Sequence, residues 1–322
     1  MLLLCAGLAI TSSLWAADDD RYQDPDRLYA ALRDQLGNAL HFGPSTVNIV
    51  FADGATGLDR GPVLAWVRGA AAALSGYFGR FPVADYKLLV IAEPSDRIGH
   101  ATTYGYDGPV TRIHVGTKAT EAAFARDWVL VHEMLHAALP NLPRRALWLQ
   151  EGNATYVEPI ARARAGQLPS AEIWSQLVAG LPKGQRGPDQ GSIDGTQDWG
   201  RLYWGGAMFW LLAEVAIFEQ SRGRHMLRDA LRAINRLSGG NAVVWSPEQM
   251  MQTGDIATGT RALSDLYARF AAGAVVTDLP ALFTRLGVVP TESNALRFDD
   301  HAPLSTLRRA MTGDLRLSKN GT

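Results

Sequence analysis

The spacing of apolar positions along the chain changes character near residue 119. Before it, residues 24–40 and 62–80 carry apolar side chains at helical spacing, the second stretch stopping near Gly79 and Pro82. Residues 47–51, 87–92 and 111–115 are short runs rich in β-branched and apolar residues, and they read as strands. After it the pattern is helical. Residues 128–139 are apolar and helix-compatible, as expected of a helix covered on most sides. A break follows at Pro140-Asn141-Leu142-Pro143, and a second apolar-periodic segment covers 146–158. The expected class is α+β, with a small mixed sheet in the N-terminal part and a mostly helical C-terminal part. The expected divisions are 1–17, 18–118, 119–240 and 241–322, without internal repeats.

Three further stretches carry a reading of their own. Residues 202–213 are uncharged, but Glu214 interrupts them too soon for a bilayer span, so they predict a buried core helix. Residues 222–236 are basic and amphipathic and predict a solvated helix face. Residues 180–199, rich in Gly, Pro, Gln and Asp, form either a rim or lid over a cleft or a plain surface connection.

Within the apolar segment 128–139 stands His132-Glu133-Met134-Leu135-His136. Histidines at i and i+4 share one helix face, so both imidazoles can reach a single metal ion while Glu133 points toward the same cleft. Glu151, in a helix expected to fold back antiparallel on the first, is the candidate third ligand; a solvated helix residue is the plain alternative. Two His and one Glu leave the fourth tetrahedral position for water, the open arrangement that a catalytic zinc site needs. Imidazole nitrogens favour Zn2+ over magnesium.

Followed by Trp148-Leu149-Gln150-Glu151-Gly152-Asn153-Ala154-Thr155-Tyr156, the motif resembles the gluzincin zinc metallopeptidases of the peptidase MA-like superfamily, which includes thermolysin, the zinc aminopeptidases and the glycyl aminopeptidase-like catalytic domains. The resemblance implies a zincin-like metallopeptidase fold, zinc on His132, His136 and Glu151, and a peptide or protein substrate. It implies for Glu133 the role of general base, taking the proton of the attacking water and delivering it to the leaving amine. Tyr203-Trp204-Gly205-Gly206-Ala207 is similar to the Tyr-x-Lys-Gly-Ala segment of the aminopeptidase branches, which implies that the Tyr203 hydroxyl stabilises the tetrahedral intermediate. Read without the resemblance, Tyr203 is one more aromatic in an apolar run. Residues 99–115 are implied to be the sheet edge that pairs with the extended substrate backbone. The segments 270–273 and 279–288 also look like the closing helical part of that branch.

This chain departs from the pattern in three places. Gly205 stands where Lys is usual, and no Gly-Ala-Met-Glu-Asn strand precedes His132, so nothing supports anchoring of a free substrate amine. Thr155 stands where thermolysin-like enzymes place the Asp that orients the first His, which leaves Asp127, Glu158 or backbone carbonyls for that task.

Residues 2–10 are apolar, and 11–17 lead into Asp18-Asp19-Asp20, the order of a signal peptide and its cleavage site. The expected location is periplasmic or secreted, without a stable membrane span after signal removal. Cys5 is the single cysteine, so the mature chain has no disulfide framework and no thiolate zinc site. Lys plus Arg number 31 against 32 Asp plus Glu, a balance that argues for no nucleic acid and no anionic surface. Of the remaining histidines, His100 and His114 flank the expected edge strand and are the ones placed to approach a cleft. Two other readings stand beside the peptidase: an inactive relative serving as a binding or envelope-maintenance module, and a zinc hydrolase of a non-peptide amide. Against the first, the base and all three candidate ligands are present.

Overall fold

The computed structural model describes residues 22–315 apart from 36, 186, 188–190 and 292–294, so the expected signal peptide lies outside the described residues. The chain opens with α1 (Pro25–Asp34), capped by the Asp24 carboxylate on the Asp26 and Arg27 amides, and then forms β1 (Gly37–Phe42) and β2 (Ser45–Phe51). Helix α2 (Arg60–Phe78) leads to β3 (Asp85–Glu93), β4 (Ile98–Tyr104) and β5 (Val110–Gly116). The five strands form one mixed sheet of order β1-β2-β3-β5-β4, parallel across β2, β3 and β5 and antiparallel at both edges. Thereafter the chain is helical: α3 (Glu121–Arg126), α4 (Val129–Ala138), α5 (Leu147–Arg164), α6 (Ser170–Gly184), a π-helical turn (Gly200–Gly205) and α7 (Gly206–Gln220). Helices α8 (Leu227–Ser238), α9 (Pro247–Thr258), α10 (Ala262–Ala272), α11 (Leu279–Leu286) and α12 (Ser305–Thr312), with the small hairpin β6 (Val288–Pro290) and β7 (Leu296–Phe298), complete it. The α+β reading holds.

One buried cluster runs from Leu40 and Val47 of the sheet through Leu130, Trp148 and Trp210 to Met311 of α12, so sheet and helices share a core. The opposite face of the sheet is covered by α1, whose Leu28, Tyr29 and Leu32 pack on Val50, Leu89 and Val110. β3 carries a continuous apolar run, Leu88-Leu89-Val90-Ile91-Ala92, as expected where a parallel strand is covered on both sides, whereas β5 is buried along its whole length although it includes Thr111, Arg112 and His114.

Three expectations need correction. Residues 24–40 are not one helix: α1 stops at Asp34 and 37–42 pair with β2. Gly37 fits there because a Cβ on it would lie 2.0 Å from the Asn48 side chain, a contact the helical reading could not anticipate. Within 99–115 only β4 is an edge, since β5 is bonded on both sides by β3 and β4. Residues 222–226 precede α8 instead of belonging to it, and the polar face of α8 is partly covered, with Arg232 Nε donating to the Tyr77 carbonyl at 2.7 Å. The apolar run 202–213 behaves as expected. Residues 200–220 are long and apolar enough to cross a bilayer, yet Phe209, Trp210 and Leu211 are fully buried against the rest of the chain.

Candidate metal centre

Helix α4 packs against β4 and carries the histidines. Its start is fixed by Asp127, whose carboxylate accepts from the amides of Val129 and Leu130 at 3.1 Å each and from Trp66 Nε1 at 3.0 Å. A carboxylate on exposed helical N–H groups satisfies them and favours the helix dipole. Asp127 therefore acts on the helix start instead of orienting a histidine. Glu158 is likewise engaged, with Arg162 at 3.0 Å; burial pushes its carboxyl up to about 7 against the pull of that guanidinium. Thr155 donates to the Glu151 carbonyl one turn back at 2.8 Å.

The i, i+4 spacing sets the His132 and His136 rings 5.0 Å apart, and α5 brings Glu151 to them. Glu151 Oε2 lies 3.3 Å from His132 Nε2 and 3.4 Å from His136 Nε2. Among the described residues this is the one group of three His, Cys, Asp or Glu side chains whose ligand atoms all lie within 4.8 Å of one another. Zinc–nitrogen and zinc–oxygen bonds of about 2.0–2.1 Å in tetrahedral geometry separate neighbouring ligand atoms by roughly 3.3–3.4 Å. The donor set fits a zinc ion in both chemistry and spacing. Without metal, burial pushes the Glu151 carboxyl up, but hydrogen bonds and charge from His132 and His136 outweigh it and hold it well below the usual carboxylate range. Burial lowers His136, and the Glu151 hydrogen bond and charge more than reverse this.

The approach of Glu151 depends on two glycines. A Cβ on Gly152 would lie 2.2 Å from the Gly206 carbonyl carbon, and one on Gly206 would lie 2.1 Å from the Trp148 carbonyl oxygen. Side-chain-free contact lets α5 and α7 touch along their backbones, which carries the π-helical turn and Tyr203 up to Glu151. Gly152→Ala is expected to cost about 3 kcal/mol by overpacking, read as a drop in melting temperature. Gly76→Ala in α2, where nothing lies within 4 Å of the added methyl, is expected to leave the melting temperature unchanged or raise it slightly.

Tyr203 stands at the centre. Its ring stacks on His132 at 6.0 Å and on Trp199 at 5.1 Å, and its hydroxyl feels the charge of Glu151. Burial and then the Glu151 charge push its phenol up, so it stays a proton donor. A π-helical turn often marks a functional position, because the widened backbone redirects one side chain.

Glu133 is buried between α4 and the sheet, and its partners are ones sequence reasoning missed. Thr103 Oγ1 donates to Glu133 Oε2 at 2.7 Å and lies 3.0 Å from the Glu133 carbonyl. It is also 2.6 Å from Thr111 Oγ1, which in turn bonds the Tyr86 hydroxyl. Burial pushes the Tyr86 phenol far up, so it keeps its proton, and the chain orders head to tail: Tyr86 to Thr111 to Thr103 to Glu133. Thr103 and Thr111 face each other across β4 and β5. Thr102 and Thr103 in β4 and Thr111 in β5 were the available signal, but only the register reveals which of them meet.

His100 and His114 form a separate cluster, rings stacked at 4.2 Å with Glu93 Oε2 3.5 Å from His114 Nδ1, outside the metal-binding group. The described part of 180–199 is tied down: Asp194 accepts from Trp148 Nε1 at 2.8 Å, and the Gly195 amide donates to the Arg145 carbonyl at 2.7 Å.

No family model and no curated protein matches the sequence. Solved structures do. An aminopeptidase N family protein from Idiomarina loihiensis superposes with a TM-score of 0.57 at 13% identity, over 84% of this chain and 53% of that one. An M1 zinc metallopeptidase from Deinococcus radiodurans gives 0.47 at 17% identity over 77% and 53%, and aminopeptidase A of Legionella pneumophila in complex with aspartic acid gives 0.49 at 14% over 74% and 28%. The chain spans about half the length of the first two, at 53% each. The first superposition shows that this chain shares its fold with that protein, a small mixed sheet followed by a helical half.

Proposed function

We propose that this chain hydrolyses peptide bonds on a zinc metallopeptidase fold, with a zinc ion held by His132, His136 and Glu151 and with Glu133 as general base. The observation that carries the reading is the convergence of three ligand atoms within 4.8 Å of one another, with Glu151 Oε2 at 3.3 and 3.4 Å from the two imidazole nitrogens, the separation tetrahedral zinc requires. When bound, zinc supplies Lewis acidity, polarising the scissile carbonyl and lowering the pKa of a water toward about 7. Glu133, one residue from a ligand and not among the ligands, takes the proton of the attacking water and returns it to the leaving amine. Thr103 occupies its Oε2, which leaves Oε1 to do this. The Tyr203 phenol, pushed up by burial and by the Glu151 charge and so keeping its proton, donates to the oxyanion that develops. The outer edge of β4, which pairs with no further strand among the described residues and is packed beside α4, offers backbone groups to an extended peptide.

The test is digestion of a peptide library blocked at both ends by the zinc-loaded protein. Cleavage that is lost on chelation and restored by zinc supports the reading, and absence of cleavage at full zinc occupancy overturns it in favour of a binding module.

If Thr103 fixes the base, Thr103→Val is expected to lower kcat about tenfold with little change in KM, and Thr103→Ser, which restores the hydroxyl, to recover most of it. Equal kcat in wild type and Thr103→Val would remove Thr103 from the mechanism.

A further inference from the structure

Beside the metal centre, and sharing His132 and Tyr203 with it, opens a cavity of about 860 Å³ between α5 and α6. Its mouth is aromatic. Trp128 stands edge-on to the His132 ring at 5.4 Å, Tyr203 stacks on that imidazole at 6.0 Å, and Trp204 lines the same cavity. Trp204 lies flat over α6 because Gly180 has no side chain; a Cβ there would sit 2.2 Å from the indole. Among the described residues Trp128 and Trp199 are the exposed tryptophans, at 52% and 71%, and both touch the His132–Tyr203 stack, Trp199 lying flat on Tyr203. Tryptophan faces left in water beside a reactive centre are what a ring-bearing ligand would cover.

Building on the peptidase reading, we propose that this cavity seats an aromatic side chain of the substrate, on the residue adjoining the bond that is cut. Its ring lies against the aromatic lining formed by Trp128, Tyr203 and Trp204. Aromatic pairs gain from offset or edge-to-face geometry beyond the burial of area, so the walls distinguish a ring from an aliphatic chain of similar size. The volume admits the largest natural side chains, and a small residue would leave the walls wet. The buried guanidinium in the lining, Arg162, is bonded to Glu158 and to the Ala125 carbonyl, so it does not compete as an anchor for an acidic side chain.

The experiment has two arms. In the first, doubly blocked peptides differing at one residue beside the scissile bond (Trp, Phe, Leu or Ala) are compared on the zinc-loaded enzyme. Trp and Phe are expected to exceed Leu by about tenfold in kcat/KM on one side of the bond only. Trp128→Ala is expected to remove that advantage by raising KM for aromatic peptides more than for the Ala peptide, and Trp128→Phe to retain it. Equal rates for Phe and Leu on both sides, or an aromatic preference that survives Trp128→Ala, overturn the proposal. The second arm needs no turnover. N-acetyl-phenylalaninamide and N-acetyl-leucinamide are titrated into zinc-loaded Glu133→Gln protein, with tryptophan fluorescence as the signal, and tighter binding of the aromatic amide that is lost in Trp128→Ala is expected. Absence of all hydrolysis would count against the peptidase reading, while this titration still decides the pocket: equal binding of the two amides contradicts it.

Discussion

Glu133→Gln is expected to reduce peptide hydrolysis by about a hundredfold or more while zinc content stays near that of the wild type. The substitution keeps the volume and the ability to accept from Thr103, but an amide oxygen cannot take a proton from water. Glu133 is buried against β4, where Thr103 contacts both its carboxylate and its carbonyl, so its position is set by the fold and the change is confined to proton transfer. Steady-state rates on a cleaved peptide, paired with metal analysis of the same preparation, check it. Near-normal turnover in Glu133→Gln with zinc bound would place the base elsewhere.

His132→Ala, His136→Ala and Glu151→Ala are each expected to weaken zinc binding by more than about a hundredfold, as measured by competition with a chelator of known affinity. Each removes one of three protein ligands. Glu151→Ala is the sharpest case, because Glu151 arrives from a different helix and its Oε2 lies within 3.4 Å of both imidazoles. Stoichiometric, tightly held zinc in Glu151→Ala would show that the third ligand is another residue.

The legible parts of this molecule were those written in local spacing. The i, i+4 histidines needed only a helix to share a face, and apolar runs such as 87–92 needed only a covered sheet to become strands. Glu151 was legible from its place one helix further on. Two edge strands were not. β1 has a half-exposed pattern over Asn38, Ala39 and Leu40, residues that suit a helix as well, and its identity is decided by pairing with β2. β4 carries a register irregularity between Ile98 and Ala101 and no clean alternation. The Tyr86–Thr111–Thr103 chain behind Glu133 joins three strands to one helix, so it depends on register and on the docking of α4, neither of which a spacing rule contains. Tyr203 was reached only through the resemblance of residues 203–207: its neighbours along the chain are apolar, and the close backbone contact between Gly152 and Gly206 that sets α7 against α5 is not a matter of spacing.

The central claim, that His132, His136 and Glu151 hold one zinc ion beside Glu133, is tested most directly by anomalous diffraction at the zinc edge from crystals of the zinc-loaded protein. The account predicts a single strong peak about 2.0–2.1 Å from His132 Nε2, His136 Nε2 and Glu151 Oε2. A peak bound by other residues, or none at this position in protein carrying a full equivalent of zinc, would contradict it.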